Sequence, residues 1–94
     1  MQPKLNKKGR SVCINNKDMH LTPKEYGILS FLMDNPNQIF TSEEIYASVW
    51  GEEPFDTNRI IAVHLRHIRE KMEENPSKPK WIQSYWGRGY SFQK

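Results

Sequence analysis

The chain has a single cysteine, Cys13, among its 94 residues, so no disulfide can form within it and its stability does not call for an oxidising compartment. It has no apolar stretch approaching the roughly 20 residues of a membrane-spanning helix, and no apolar segment at its N-terminus that would serve as a secretion signal. Membrane and secretory readings fall away, and a cytoplasmic setting is expected. Internal repeats and low-complexity tracts are also missing. At this length there is material for one modest core and not for two, so residues 1–94 are read as one domain with one site.

What is present suits a folded domain. Apolar residues make up 36% and aromatics 12%, and the aromatics supply the burial that disordered chains usually lack. The net charge is only +3, but it is unevenly placed. Lys4, Lys7, Lys8, Arg10 and Lys17 open the chain with no acid among them. Residues 18–56 carry eight acids against Lys24 alone, and residues 57–94 return to eight basic residues against three acids. Basic ends point to a polyanion-facing surface. The acidic middle leaves room for a second surface with a different partner.

Local patterns give the order of elements. Ser11–Ile14 and Met19–Leu21, separated by the turn-forming Asn15-Asn16 and preceded by Gly9, read as short strands of an antiparallel sheet. At Leu21–Tyr26 several helix-start devices coincide: Thr22 as cap, Pro23 in the first turn, Glu25 to close a capping box, and Leu21 with Tyr26 as a hydrophobic staple. That helix should stop before Pro36. The grammar repeats at Phe40–Ile45, with Thr41 as cap, Glu44 closing the box and Phe40 against Ile45. Gly51 and Pro54 end this second, short helix. A third helix is expected over residues 57–74, its apolar stripe being Ile61, Leu65, Ile68 and Met72. Beyond Pro79, residues 81–93 read as a terminal hairpin with Gly87-Arg88-Gly89 at its tip. Strands, three helices and a closing hairpin describe an α+β winged helix-turn-helix.

With the stripe of the third helix turned inward at 100° per residue, Arg59, Val63, Arg66 and Glu70 point away from the core, and Ile60, Ala62, His67 and Arg69 lie on the flanks. Arginines interleaved with small and apolar side chains suit a groove reader, since Arg pairs with guanine and apolar groups touch the thymine methyl. An ordinary solvated helix face has the same composition. In the hairpin, Trp86, Arg88 and Tyr90 could press against a sugar-phosphate edge, while Trp81, Trp86 and Tyr90 could equally be partly buried aromatics of a small sheet.

Together these segments resemble the C-terminal DNA-binding effector domain of OmpR/PhoB-type two-component response regulators. The resemblance rests on Val49-Trp50-Gly51, the run RIIAVHLRHIR from Arg59 to Arg69, and Gly87–Phe92. Leu21–Tyr26 and Asn35–Thr41 fit it too. It implies a four-stranded N-terminal sheet, three helices and a C-terminal hairpin, bound to double-stranded promoter DNA as tandem, usually head-to-tail, protomers. It places Trp50, Arg59, His64, Arg66, Ser84 and Tyr90 against phosphates, and Ile60, Val63, His67 and Arg69 at base-facing positions. It makes the loop from Gly51 to Asp56, with Glu52, Glu53 and Asp56, the segment that touches RNA polymerase. It also implies a receiver domain in the same polypeptide; no receiver-like segment lies within these residues, and Gln2–Gly9 reads as a linker remnant of an excised effector domain.

The chain departs from the family pattern where Ile60 stands for a small hydroxyl residue, Ala62 for an acid and His67 for a second arginine. Trp86 replaces the wing arginine that would enter the minor groove, and Arg88 is expected to take that role. Two rival classes are weaker. For an enzyme, the candidates Cys13, His20, His64 and His67 form no catalytic grouping, and Cys13 reads as a small buried thiol. His64 and His67 are spaced to share a metal, but no further ligand set accompanies them, so no metal or other cofactor is expected. A purely protein-binding winged helix fits poorly with Arg59, Arg66, Arg69 and Arg88 around one presumed face, which suits phosphate better than an apolar partner.

Overall fold

The computed structural model describes residues 2–94. Three strands come first: β1 (Lys4–Asn6), β2 (Ser11–Ile14) and β3 (Lys17–His20). They form one antiparallel sheet with β2 in the middle, Leu5 facing Val12 and Val12 facing Met19. The helices α1 (Pro23–Asp34), α2 (Ser42–Trp50) and α3 (Thr57–Met72) follow, and the hairpin strands β4 (Ile82–Tyr85) and β5 (Gly89–Phe92) close the chain.

The N-terminal sheet corrects three expectations. It has three strands among the described residues, where the family resemblance implied four. Lys4–Asn6, taken for linker, is a strand; three residues with a single apolar member are too short to show periodicity. Pro3, which has no N–H to add to a ladder, precedes it. The third strand also starts earlier than the Met19–Leu21 reading. Asn15 and Asn16 both have positive φ, 51° and 65°, the geometry of a two-residue hairpin turn, so pairing resumes at once with Ile14 opposite Lys17. Leu21 leaves the sheet and is fully buried at the entrance to α1.

Both capping boxes form. The Glu25 N–H donates to Thr22 Oγ1 at 3.2 Å and the Thr22 N–H donates to Glu25 Oε1 at 2.9 Å; at α2 the same exchange joins Thr41 and Glu44 at 3.1 and 2.9 Å. Each cap contributes about 1 kcal/mol. The α3 stripe Ile61, Leu65, Ile68 and Met72 is buried as expected, within one cluster that also holds Val12, Leu29, Ile45 and Phe92. Glycine in α1 has a packing reason that the pattern did not show: a Cβ on Gly27 would come within 2.9 Å of Val49, so its absence lets α2 close on α1.

The third helix ends at Met72, two residues short of the expected Glu74. Glu73 turns into extended backbone and spends its buried carboxylate on the next segment, accepting from the N–H groups of Lys80, Trp81 and Ile82. The hairpin is fastened from the other side as well. Phe40 and Tyr90 exchange backbone hydrogen bonds at 2.8 and 2.9 Å, and Asn37 N donates to Phe92 O at 2.7 Å. Gly89, at φ +135°, lies so close to the Phe40 carbonyl that no Cβ would fit.

Candidate nucleic-acid interface

The exposed side of α3 carries Asn58, Arg59, Ala62, Val63, Arg66 and Glu70. Between its first turn, the start of α2 and the hairpin lies an open cleft of about 470 Å³. Thr41, Ser42, Asn58, Ser84, Trp86, Arg88 and Tyr90 are among its walls. The first turn of α3 and the hairpin tip therefore share one concavity. Asn58 was not singled out from the sequence, although its amide is a side chain suited to adenine edges. Its signal was available: it is the first polar residue after the start of the helix.

The residues expected at phosphates, and the wing arginine, differ in how free they are. Arg66 and Arg88 are exposed, and neither takes part in an ion pair among the described residues. Arg59 is not free: its Nε donates to Asp56 Oδ2 at 2.8 Å. Asp56 sits in left-handed backbone before α3, and its side chain makes no capping hydrogen bond. Trp50 stacks on Tyr46 with ring centroids 4.5 Å apart, and Lys24 Nζ lies 4.8 Å from the Trp50 ring. Lys24, the one base of the acidic middle, was not counted toward the site. The edge of His64 meets Trp50 at 5.4 Å, and His64 Nδ1 lies 2.8 Å from the Ile60 carbonyl. A carbonyl only accepts, so Nδ1 is the protonated nitrogen in that contact.

The four positions expected to face bases are not equivalent either. Val63 is exposed. Ile60 is half-buried against the core cluster. His67 turns toward the N-terminus of α1, where its Nδ1 is 4.0 Å from the buried Glu25 carboxylate. Glu25 is also paired with Lys71. Burial raises the Glu25 pKa, and the Lys71 ammonium, the Thr22 N–H and the His67 charge more than offset this, so its carboxyl lies below the ordinary range. Arg69 departs furthest from expectation. It leaves α3 sideways and donates through Nε and Nη2 to the Ile82 carbonyl at 3.3 and 3.1 Å, and through Nη2 to Ser84 Oγ at 2.7 Å. Its guanidinium carbon is 5.9 Å from the centre of the Tyr90 ring. Half-burial lowers its pKa, opposed by Tyr90 and Glu73.

In the hairpin, Trp81 is buried and stacks on Phe92, Tyr90 is half-buried, and Trp86 is fully exposed at the tip beside Arg88. Glu52, Glu53, Phe55 and Asp56 are all exposed in the loop between α2 and α3. Glu52 accepts from the Tyr46 hydroxyl at 3.4 Å. Cys13 is half-buried in β2 rather than enclosed. His64 and His67 have different neighbours, and among the described residues no three His, Cys, Asp or Glu side chains gather as metal ligands. No helix among these residues is long and apolar enough to cross a membrane.

An exposed basic helix beside a projecting hairpin defines the winged-helix class, and sequence comparison is specific about which. The family described as transcriptional regulatory protein, C terminal, matches residues 16–92, and the chain belongs to it. The chain is 48% identical to the transcriptional regulatory protein YcbL of Bacillus subtilis over 80 residues, covering 85% of this chain and 35% of that protein. Similarity to the regulatory protein VanR of Enterococcus faecium is 42% over 82 residues, covering 86% and 36%. The response regulator DrrB, an OmpR/PhoB homologue from Thermotoga maritima, superposes with a TM-score of 0.86 at 33% identity, covering 98% of this chain and 42% of that one. The chain thus spans about a third of the length of the curated relatives it matches.

Proposed function

We propose that the chain binds double-stranded promoter DNA in a sequence-specific way, as the output domain of a two-component response regulator in the cytoplasm. In this reading α3 lies in the major groove and the hairpin 81–93 reaches the minor groove. The observation that carries it is where the donors stand: Arg88 and Tyr90 line one cleft with Asn58 of α3, and Arg66 is exposed on the open face of the same helix. Donors at a surface of this kind match phosphate oxygens.

Trp50, Arg59, His64, Arg66, Ser84 and Tyr90 act as phosphate contacts that set register. Ile60, Val63 and His67 lie nearest the bases, and Arg88 enters the minor groove beside Trp86. The loop bearing Glu52, Glu53 and Asp56 faces RNA polymerase; its acids and the exposed Phe55 give it charge and an apolar anchor. A receiver domain in the same polypeptide and a second protomer on a tandem half-site complete the assembly. Selection of bound duplexes from a random pool tests this directly. One recurrent motif, lost for the Arg66→Ala variant, is the expected result. Recovery of unenriched sequence would overturn it.

A further inference from the structure

We propose that Arg69 is a positioning residue that fixes the hairpin at a set angle to α3, and so sets the spacing between major-groove and minor-groove contacts. The inference rests on the DNA-binding reading above.

The local geometry is that of a missing strand. β4 pairs with β5 on one edge, Ile82 opposite Phe92, while the N–H and the carbonyl of Ile82 both turn toward α3. There the N–H donates to Glu73 Oε2 at 2.8 Å and the carbonyl accepts twice from Arg69. Two side chains of opposite charge, Arg69 in the last turn of α3 and Glu73 just past its end, satisfy one peptide group from both ends. The carboxylate meets the positive end of the amide dipole and the guanidinium the negative end. Arg69 reaches further along the same strand to Ser84 Oγ, and its guanidinium lies near the ring of Tyr90, which is opposite Ser84 in the register. Both hairpin strands are thus held by one side chain.

A guanine-reading arginine must present a free pair of donors to the O6 and N7 edge. In Arg69 the Nε and Nη2 pair is already committed to Ile82, and the group is half-buried. Removing it would sacrifice charge-assisted bonds that have paid for their desolvation. The lever it controls is long. Trp86 lies four residues beyond Ile82, about 13 Å along a strand, so a tilt of about 10° at Ile82 moves the tip by about 2 Å. A shift of that size is enough to lose a hydrogen bond.

The test uses a duplex selected on the wild-type chain. Wild type, Arg69→Ala and Arg69→Lys are compared by hydroxyl-radical footprinting, which reports minor-groove cover, and by affinity for a panel with single base-pair changes. Both variants should lose the minor-groove protection and bind about tenfold more weakly, with base preferences in the α3 footprint unchanged. Lysine keeps the charge but has one point of attachment in place of a fork, so it remains informative if the alanine variant fails to fold. Retained minor-groove protection together with a lost preference at one base pair would make Arg69 a base reader and overturn the proposal. Unchanged footprint and affinity would overturn it too. Wild type that binds no duplex would instead remove the DNA-binding reading on which it rests.

Discussion

Arg59 Nε donates to Asp56 Oδ2 at 2.8 Å across the first turn of α3, so the most N-terminal arginine of the helix's exposed face is paired before any ligand arrives. The acid that holds it belongs to the loop proposed to face RNA polymerase. A phosphate approaching Arg59 must compete with Asp56 and meets the negative charge of the carboxylate as well. Asn tolerates the left-handed backbone of this position (φ 51°), so Asp56→Asn isolates the charge. It should tighten DNA binding by about two- to fivefold at low salt, the scale of an exposed ion pair. Fluorescence anisotropy against a selected duplex reads this, and unchanged or weaker binding would show that the pair does not restrain Arg59.

The tautomer of His64 decides what it can offer a phosphate. Its Nδ1 donates to the Ile60 carbonyl, which leaves Nε2 as an acceptor in the neutral ring. A phosphate oxygen also only accepts, so contact with phosphate requires the imidazolium. His64→Gln, whose amide donates without a charge, should weaken binding to a selected duplex by about two- to fivefold. Unchanged affinity in the variant would exclude His64 as the phosphate contact.

Glu25 gives stability a pH dependence. Its carboxyl is buried and its pKa is held below the ordinary range by Lys71, Thr22 and His67. A lowered folded-state pKa contributes stability that is present above the unfolded-state value and lost as pH falls through the folded one. Thermal unfolding should show a Tm that drops on acidification from about pH 6 to about pH 3, and less steeply in Glu25→Gln. Lys71→Ala, which leaves the carboxylate buried without its cation, should cost about 1–3 kcal/mol near neutral pH. Equal acid sensitivity of wild type and Glu25→Gln would mean that other groups dominate.

At the hairpin tip two glycines separate two effects. Gly87 has φ +73° with open space around it, whereas Gly89 faces the Phe40 carbonyl where a Cβ has no room. Gly87→Ala should cost about 1 kcal/mol, for the backbone alone. Gly89→Ala should cost about 2–4 kcal/mol by breaking the Phe40–Tyr90 pairing as well. Chemical denaturation of the two variants compares them. Equal costs would mean that the approach of Phe40 is not what fixes the hairpin.

What the sequence made legible were the features written in neighbouring residues. Thr22 with Glu25 and Thr41 with Glu44 close their boxes within one turn, and the stripe from Ile61 to Met72 needs only helical spacing. Two capping motifs and one periodic face, with the motifs of the hairpin, were enough for the order of elements after residue 21. Features that depend on how segments cross were not legible. A helical wheel places Arg69 on a flank, but only the packed position of β4, 13 residues on, turns it to the Ile82 carbonyl. The same holds for Glu73, which looked like a helix residue and became a clamp, and for His67, which faces Glu25 from a different helix. β3 was misplaced by two residues because its one apolar member, Met19, is exposed, while the buried Leu21 lies just past its end.

The central claim is that the open face of α3 and the hairpin tip bind the DNA backbone. The most direct measurement is the affinity for a selected duplex over a series of salt concentrations, for wild type and for Arg66→Ala. Release of counterions from the phosphates met by Arg59, His64 and Arg66 predicts a log–log slope of about −2 to −3, made shallower by about one unit in the variant. A slope near zero, or the same slope in both proteins, would contradict the account.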